Sequence, residues 1–333
     1  MYESPGLRWR QSETPVTETR SNQRTAQEAM ASSPLNGVFA AVLTPIDDDG
    51  QCDTAHFADH CRWLIDDGCH GVSLFGTTGE GPAFTARERK QGLEAVLASG
   101  VPAAKILPGT GCASNTDTID LTRHAVECGC ENILLMPPFF FKDVTDDGVF
   151  SFYSGIIEAA GSPDLRIYIY NFPEVTGVWI RPGVVRRLVA EYGATIAGIK
   201  DSSGDWDYVT EMLATPGLAV FTGWETLVPE LLAVGGNGNI SGLANVVPSI
   251  LRRLFDERPT DSDHPLLSGV TDLVDAFADL PVGPGIRALA ATLRKWPAWR
   301  NMRPPLTPLD SASERELLAA FDRITGEITA AAG

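Results

Sequence analysis

From Gly37 onward the chain repeats one theme: a short apolar run, a polar or glycine-rich loop, then a stretch with helical amphipathic spacing. The apolar runs are Val38–Leu43, Gly71–Phe75, Lys105–Pro108, Asn132–Met136, Arg166–Tyr170, Ile196–Lys200, Ala219–Thr222 and Gly238–Ser241. The spacing predicts helices over Ala55–Asp66, Ala86–Ala98, Thr116–Glu127, Asp147–Ala160, Pro182–Tyr192, Trp206–Ala214, Leu227–Ala233 and Pro248–Asp256. Thr85 with Glu88, and Ser114 with Asp117, have the spacing at which two side chains satisfy the orphan N–H groups of a helix start. Most strand-to-strand intervals are near the ~30 residues of a βαβ unit, and the last two are shorter. Strands joined through helices must run parallel, so eight such units in one run predict a closed (β/α)8 barrel of the TIM type. A doubly wound open sheet is the competing arrangement, but the glycine-rich dinucleotide fingerprint is missing after the first strand.

The flanks follow other rules. Residues 1–34 are polar, without apolar periodicity, and read as a disordered extension; Met30, just before the ordered pattern, is an alternative start. The barrel is expected over 35–258. Residues 259–333 are expected to be helices packed on the barrel or on a neighbouring subunit, at Leu266–Asp279, Gly285–Lys295 and Ala312–Ala331. Arg303-Pro304-Pro305-Leu306 separates the last two.

Composition narrows the partners. A net charge of −17 over 333 residues argues against a nucleic-acid or anionic-membrane surface. No apolar run approaches the ~20 residues that span a bilayer, and no signal-peptide pattern opens the chain. The six cysteines lack the spacing of a disulfide framework and read as reduced thiols, which together point to the cytoplasm.

The chemistry centres on Ala197-Gly198-Ile199-Lys200-Asp201. Lys200, one of five lysines, alone closes an apolar run that a polar loop follows. Taken singly, it reads as a solvated strand-end lysine, Gly76-Thr77-Thr78-Gly79 as an ordinary turn, and Tyr170 as a core aromatic. Active sites of this architecture lie at the carboxyl ends of the strands, where all three fall. Strand alternation puts Lys200 on the face of Gly198 and Ile196 and turns Asp201 away from it. Neighbouring strands ~4.8 Å apart let Tyr170 and Lys200 converge. A lysine nucleophile must lose its proton; moving its pKa from ~10.4 to ~7.5 takes about 4 kcal/mol, which desolvation among apolar residues can supply. The neutral amine then forms a Schiff base with a ketone, and a tyrosine hydroxyl beside it serves as acid/base. The Gly-Thr-Thr-Gly turn offers backbone N–H groups and two hydroxyls to a 2-keto acid carboxylate.

On these residues the chain resembles the dihydrodipicolinate synthase/N-acetylneuraminate lyase family of class I aldolases. The resemblance spans about Gly37 to Leu309 and rests on Leu43-Thr44-Pro45, Gly76-Thr77-Thr78-Gly79-Glu80, Gly109-Thr110-Gly111, Tyr170-Asn171-x-Pro173 and Gly198-Ile199-Lys200-Asp201, with Arg303-Pro304-Pro305-Leu306 in support. It implies a Schiff-base lysine at Lys200, an acid/base tyrosine at Tyr170 and carboxylate binding by Thr77 and Thr78. Gly76 and Ile240, near the ends of strands two and eight, join the substrate-binding positions. It further implies a homotetramer built from dimers, a small-molecule 2-keto acid and an aldehyde as substrates, and neither cofactor nor metal. Two positions depart from the synthase pattern. Val175 stands where synthases carry an arginine for the second substrate's carboxylate, and Phe140 where they supply a tyrosine across the dimer interface. Both departures turn the expectation from the lysine-biosynthetic reaction toward another pyruvate-type aldolase or a dehydratase. The synthase itself and a 2-keto-3-deoxy sugar acid aldolase or dehydratase stay open. Lys142 and Arg181 are the cations that could meet a second carboxylate instead.

Other classes carry less. A metal-dependent aldolase needs clustered ligands at strand ends, whereas His56 and His60, at i, i+4 spacing, fall on the first helix and read as surface residues. A non-catalytic 2-keto acid binding barrel would keep the pocket and need no lysine, so an intact Lys200–Tyr170 pair speaks against it.

Overall fold

The computed structural model describes residues 34–331; of the extension expected over 1–34, all but the last residue lies outside the described residues. Seven strands, β1 (Gly37–Ala41), β2 (Gly71–Ser73), β3 (Asn132–Leu135), β4 (Arg166–Asn171), β5 (Ile196–Asp201), β6 (Ala219–Thr222) and β7 (Gly238–Ser241), form one sheet in the order β2-β1-β7-β6-β5-β4-β3. Every pairing in it is parallel. The helices between strands are α1 (Thr54–Asp66), α2 (Ala86–Ala98), α3 (Asn115–Glu127), α4 (Asp146–Ala160), the short α5 (Pro173–Thr176), α6 (Pro182–Tyr192), α7 (Trp206–Leu213) and α8 (Val228–Ala233). After β7 come α9 (Pro248–Glu257), α10 (Pro265–Asp275), α11 (Val282–Leu293) and α12 (Ser311–Ala330).

The expected third strand, Lys105–Pro108, does not form as a ladder. Lys105 ends a 3-10 turn over Ala103–Lys105, and Pro108 has no N–H to give, so too few donors remain. The segment still fills the gap between β2 and β3. Leu107 N–H donates to Val72 O at 2.8 Å, Gly109 N–H to Leu74 O at 2.7 Å, and Leu134 N–H to Pro108 O at 2.9 Å. With this eighth stave the sheet closes into the TIM barrel that the periodicity predicts, with additional C-terminal helices.

Ring contacts cross the barrel interior. Phe221 of β6 meets Tyr168 of β4 edge-on at 5.8 Å and Phe39 of β1 at 5.9 Å, although none of these strands are neighbours. Gly198 makes room for this floor: a Cβ there would fall 2.5 Å from the Tyr168 ring. The helix starts follow the sequence signals. Thr85 accepts from Glu88 N–H at 3.3 Å while the Glu88 carboxylate accepts from Thr85 N–H at 2.8 Å, closing a capping box. Ser114 accepts from Asp117 N–H at 3.3 Å. In α12, Leu317, Phe321, Ile324 and Ile328 recur with helical spacing and are buried in the same apolar cluster as the barrel core. Among the described residues no helix is long and apolar enough to cross a membrane.

His60 corrects an expectation. Its spacing with His56 reads as a surface pair, and His56 is indeed half-exposed, bonded to Asp53 at 2.8 Å and stacked on Trp296. His60 is fully buried on the inner face of α1, where it bonds Asn245 Oδ1 through Nε2 at 3.1 Å. Asn245 also accepts from Leu43 N–H and donates to Ala41 O and Gly242 O, so it fastens the ends of β1 and β7 together. Four residues along a helix turn about 40° from one stacked position to the next, enough to bury one imidazole against Asn245 and leave the other half-exposed.

Burial pushes the His60 imidazole down to about 4 from an ordinary 6.5. The unfolded chain therefore binds one more proton between these values, and the native state loses stability as pH falls from about 6.5 toward 4. We expect a loss of about 3 kcal/mol from this residue between pH 7 and pH 4, from 1.36 kcal/mol per pKa unit. Urea unfolding of the parent and His60→Gln at both pH values should show the parent losing that much more than the variant; equal losses would assign the acid sensitivity elsewhere.

Candidate active site

The site begins with a register. β4 and β5 pair with Tyr170 opposite Lys200 and Asn171 opposite Asp201. Alternation then sends the two pairs to opposite sides. Asp201 takes a hydrogen bond from Asn171 Nδ2 at 2.8 Å and others from Ser203, so its carboxylate belongs to the strand ends rather than to the lysine. Both strands run one residue beyond the expected apolar runs because of this second pair.

On the other side Lys200 Nζ donates to Tyr170 OH at 3.3 Å and lies 4.3 Å from the centre of its ring. Tyr170 OH is 3.4 Å from Thr77 Oγ1. Lys200 is 5% exposed and Tyr170 3%, so an amine, a phenol and a hydroxyl form a short chain almost out of water. Such a chain can pass a proton between an amine and a bound molecule.

The other residues named from sequence divide into two groups. Gly76 lines a cleft with Tyr170, Gly109, Gly111 and Met136. Thr78 Oγ1 sits beside Gly242, beyond the end of β7, 3.0 Å from where a Cβ would project. Ile240 is buried within β7, in register with Phe39. Val175 and Phe140 stand apart from this group: they are 50% and 72% exposed, Val175 on α5 and Phe140 in the loop after β3. The two segments are nonetheless tied, because Lys142 Nζ donates to Thr176 O at 2.6 Å and to Phe139 O. That leaves the Lys142 ammonium held by backbone carbonyls. Arg181 is paired with Asp146 at 3.2 Å in an exposed bridge.

One residue at the site has no counterpart in the sequence reading. Glu225, in the turn after β6, is buried and accepts a hydrogen bond from Ser241 Oγ at the end of β7. Burial raises its carboxyl above the ordinary range, while the Ser241 hydroxyl and the nearby Lys200 charge pull it down. Its signal was present as an acid three residues past a strand end on the catalytic face of the barrel. Among the described residues no three His, Cys, Asp or Glu side chains converge as a metal site.

The likeness to known proteins extends over nearly the whole described chain. The chain is 36% identical over 305 residues to an uncharacterized DapA-like lyase of Chloroflexus aurantiacus, covering 88% of this chain and 98% of the relative. It is 31% identical over 301 residues to a 4-hydroxy-tetrahydrodipicolinate synthase of Prochlorococcus marinus, covering 87% and 95%. Among solved structures, dihydrodipicolinate synthase from Agrobacterium tumefaciens superposes with a TM-score of 0.81 at 34% identity, covering 86% of this chain and 99% of that one. The model of the dihydrodipicolinate synthetase family matches residues 34–324, and the chain belongs to that family of class I aldolase-type lyases.

Proposed function

We propose that the protein is a Schiff-base lyase for pyruvate or a related 2-keto acid, with Lys200 as nucleophile, Tyr170 as acid/base, and Thr77, Thr78, Gly76 and Ile240 as the substrate-binding positions. The observation that carries this reading is the enclosed chain from Lys200 Nζ through Tyr170 OH to Thr77 Oγ1. The amine attacks the ketone carbon, the carbonyl oxygen leaves as water, and Tyr170 moves the protons between them. Backbone N–H groups and hydroxyls of the Thr77-Thr78 turn hold the carboxylate. The protonated imine then draws electrons from the neighbouring carbon, which allows a C–C or C–O bond to form or break. Action in the cytoplasm as a tetramer of two dimers belongs to the same reading and rests on the family.

The second substrate follows from three residues. Val175 offers no hydrogen bond, Lys142 is held by carbonyls, and Arg181 is paired with Asp146. A guanidinium clamp on a carboxylate is directional and its loss costs about 2–5 kcal/mol. A neutral hydroxyaldehyde, or an aldehyde with apolar or aromatic character, suits this mouth better than an acidic semialdehyde.

Borohydride with pyruvate or a larger 2-keto acid should trap an adduct on Lys200, seen by peptide mapping; no adduct with any 2-keto acid, or one on another lysine, would falsify the assignment. Lys200→Arg should keep the fold and lose turnover, because arginine stays protonated.

Tyr170→Phe should lower turnover by about 10²–10⁴ where chemistry is rate-limiting, the range for a general acid/base. A variant within twofold of the parent would take Tyr170 out of the mechanism.

A panel of aldehydes should show aspartate semialdehyde condensing with pyruvate at least about 10² less efficiently than the preferred partner, from the same 2–5 kcal/mol range. Val175→Arg should narrow that gap. Ordinary synthase efficiency in the parent would mean that another residue holds the second carboxylate.

A further inference from the structure

The Thr77-Thr78 turn is tightly wound, with a strained residue at each end. Gly81 N–H returns to Gly76 O and Glu80 N–H to Thr77 O, both at 3.0 Å. Phe75 before the turn and Glu80 at its end both sit in the left-handed region at φ +55°, which a side chain with a Cβ disfavours. A Cβ on Gly81 would fall 2.0 Å from Phe75 O, so the two ends of the turn lie against each other. Such a conformation persists only where its surroundings over-determine it.

The surroundings come from the far end of the chain. The left-handed turn at Glu80 sends its carboxylate into the body, where Oε1 meets Arg287 Nε of α11 at 2.6 Å. The side chains are 4% and 1% exposed, and Glu80 Oε2 is buried without a hydrogen-bond partner, so the ion pair alone neutralises the carboxylate. Arg287 spends its other nitrogens on Thr44 O at 2.8 Å and Trp299 O at 3.2 Å. Thr44 in turn donates from Oγ1 to Gly79 O at 2.7 Å. The two residues that follow Thr78 are thus each held from below, one by Arg287 directly and one through Thr44. Ile286 on the same helix faces Thr78 across Gly242: a Cβ at Gly242 would lie 3.2 Å from the former's Cδ1 and 3.0 Å from the latter's Oγ1.

We propose that Glu80 and Arg287 are a positioning pair through which α11 sets the geometry of the Thr77-Thr78 turn, and thereby the affinity for the 2-keto acid carboxylate. The proposal rests on the reading of the turn as the carboxylate site. Neither residue touches the reacting atoms, so loosening the pair should weaken binding while leaving the step at saturation nearly intact.

The test separates positioning from folding. Arg287→Lys keeps the charge and gives up the forked contacts. Glu80→Gln with Arg287→Met removes both charges together, which spares the fold a lone buried ion. For each variant the pyruvate concentration giving half-maximal borohydride-trapped adduct is measured beside the saturating rate and the melting temperature. A rise of about tenfold or more in half-saturation, with a saturating rate within about threefold, is expected from misaligned hydrogen bonds to a carboxylate. In the double variant the rise should remain even where the melting temperature returns to the parent's. Half-saturation within twofold of the parent, or recovering in step with stability, overturns the proposal. Should Arg287→Lys fail to fold, the double variant decides alone. A parent that traps no adduct overturns the functional reading first, and the proposal with it.

Discussion

A lysine enclosed at the end of a strand is the constraint that the barrel is arranged around. Lys200 is 5% exposed and its hydrogen bond goes to a phenol. Taking an ionisable side chain out of water is costly, and a structure accepts that cost only where the group is paired or put to use. The features around it follow in order. Gly198, two residues earlier on the same face, lets the Tyr168 ring form a dry floor with Phe221 and Phe39. The register of β4 on β5 then sets Tyr170 beside the amine and diverts Asp201 to Asn171.

What the chain reveals by its own periodicity is what depends on near neighbours. Apolar runs separated by amphipathic stretches give the barrel, and alternation along two adjacent strands gives Lys200 with Tyr170. The third stave escaped the pattern because an apolar run says nothing of how many N–H groups it can give, and Pro108 with the turn at Lys105 removed two. His60 escaped because helical spacing fixes which residues share a face, not how wide the buried stripe is. Glu225 with Ser241, and Glu80 with Arg287, escaped for another reason. The latter pair closes across 207 positions, and no local rule links an acid in a turn to an arginine on a late helix. Val175 and Phe140 could be named from their offsets, yet offsets alone do not tell that both lie exposed at the rim.

The mouth loops share one method of restraint. Arg89, buried on α2, donates to Gly111 O and Cys112 Sγ and to Gly109 O, holding the end of the eighth stave. Lys142 joins the loop after β3 to α5, and Arg287 joins β1's end to the turn after β2. Arg303 donates to Gly50 O at 2.8 Å and Ala83 O at 2.7 Å while pairing with Glu88 at 2.5 Å. The last contact explains why burial does not leave Glu88 exposed to protonation: the Arg303 hydrogen bond brings its carboxyl down to about 2. Long side chains with several donors are suited to this work, since each spans two segments and satisfies carbonyls that a loop leaves unpaired.

This use of cations bears on the chemistry. In the proposed reaction the bound 2-keto acid becomes an iminium ion, a cation formed where an amine stood. A fixed guanidinium on the substrate's carboxylate would neutralise that carboxylate and repel the iminium at once. In that proposed reaction the Thr77-Thr78 turn would hold the anion with neutral donors, so the carboxylate would keep its charge for the iminium beside it. Glu225, buried near Lys200, adds a second acidic group whose ionisation the developing positive charge favours. Bonds from Arg89, Lys142, Arg287 and Arg303 to backbone carbonyls tie the loops together, while the groups beside the Lys200 nitrogen, the Tyr170 phenol and the acid Glu225, are ones that would stabilise the positive charge of the proposed iminium.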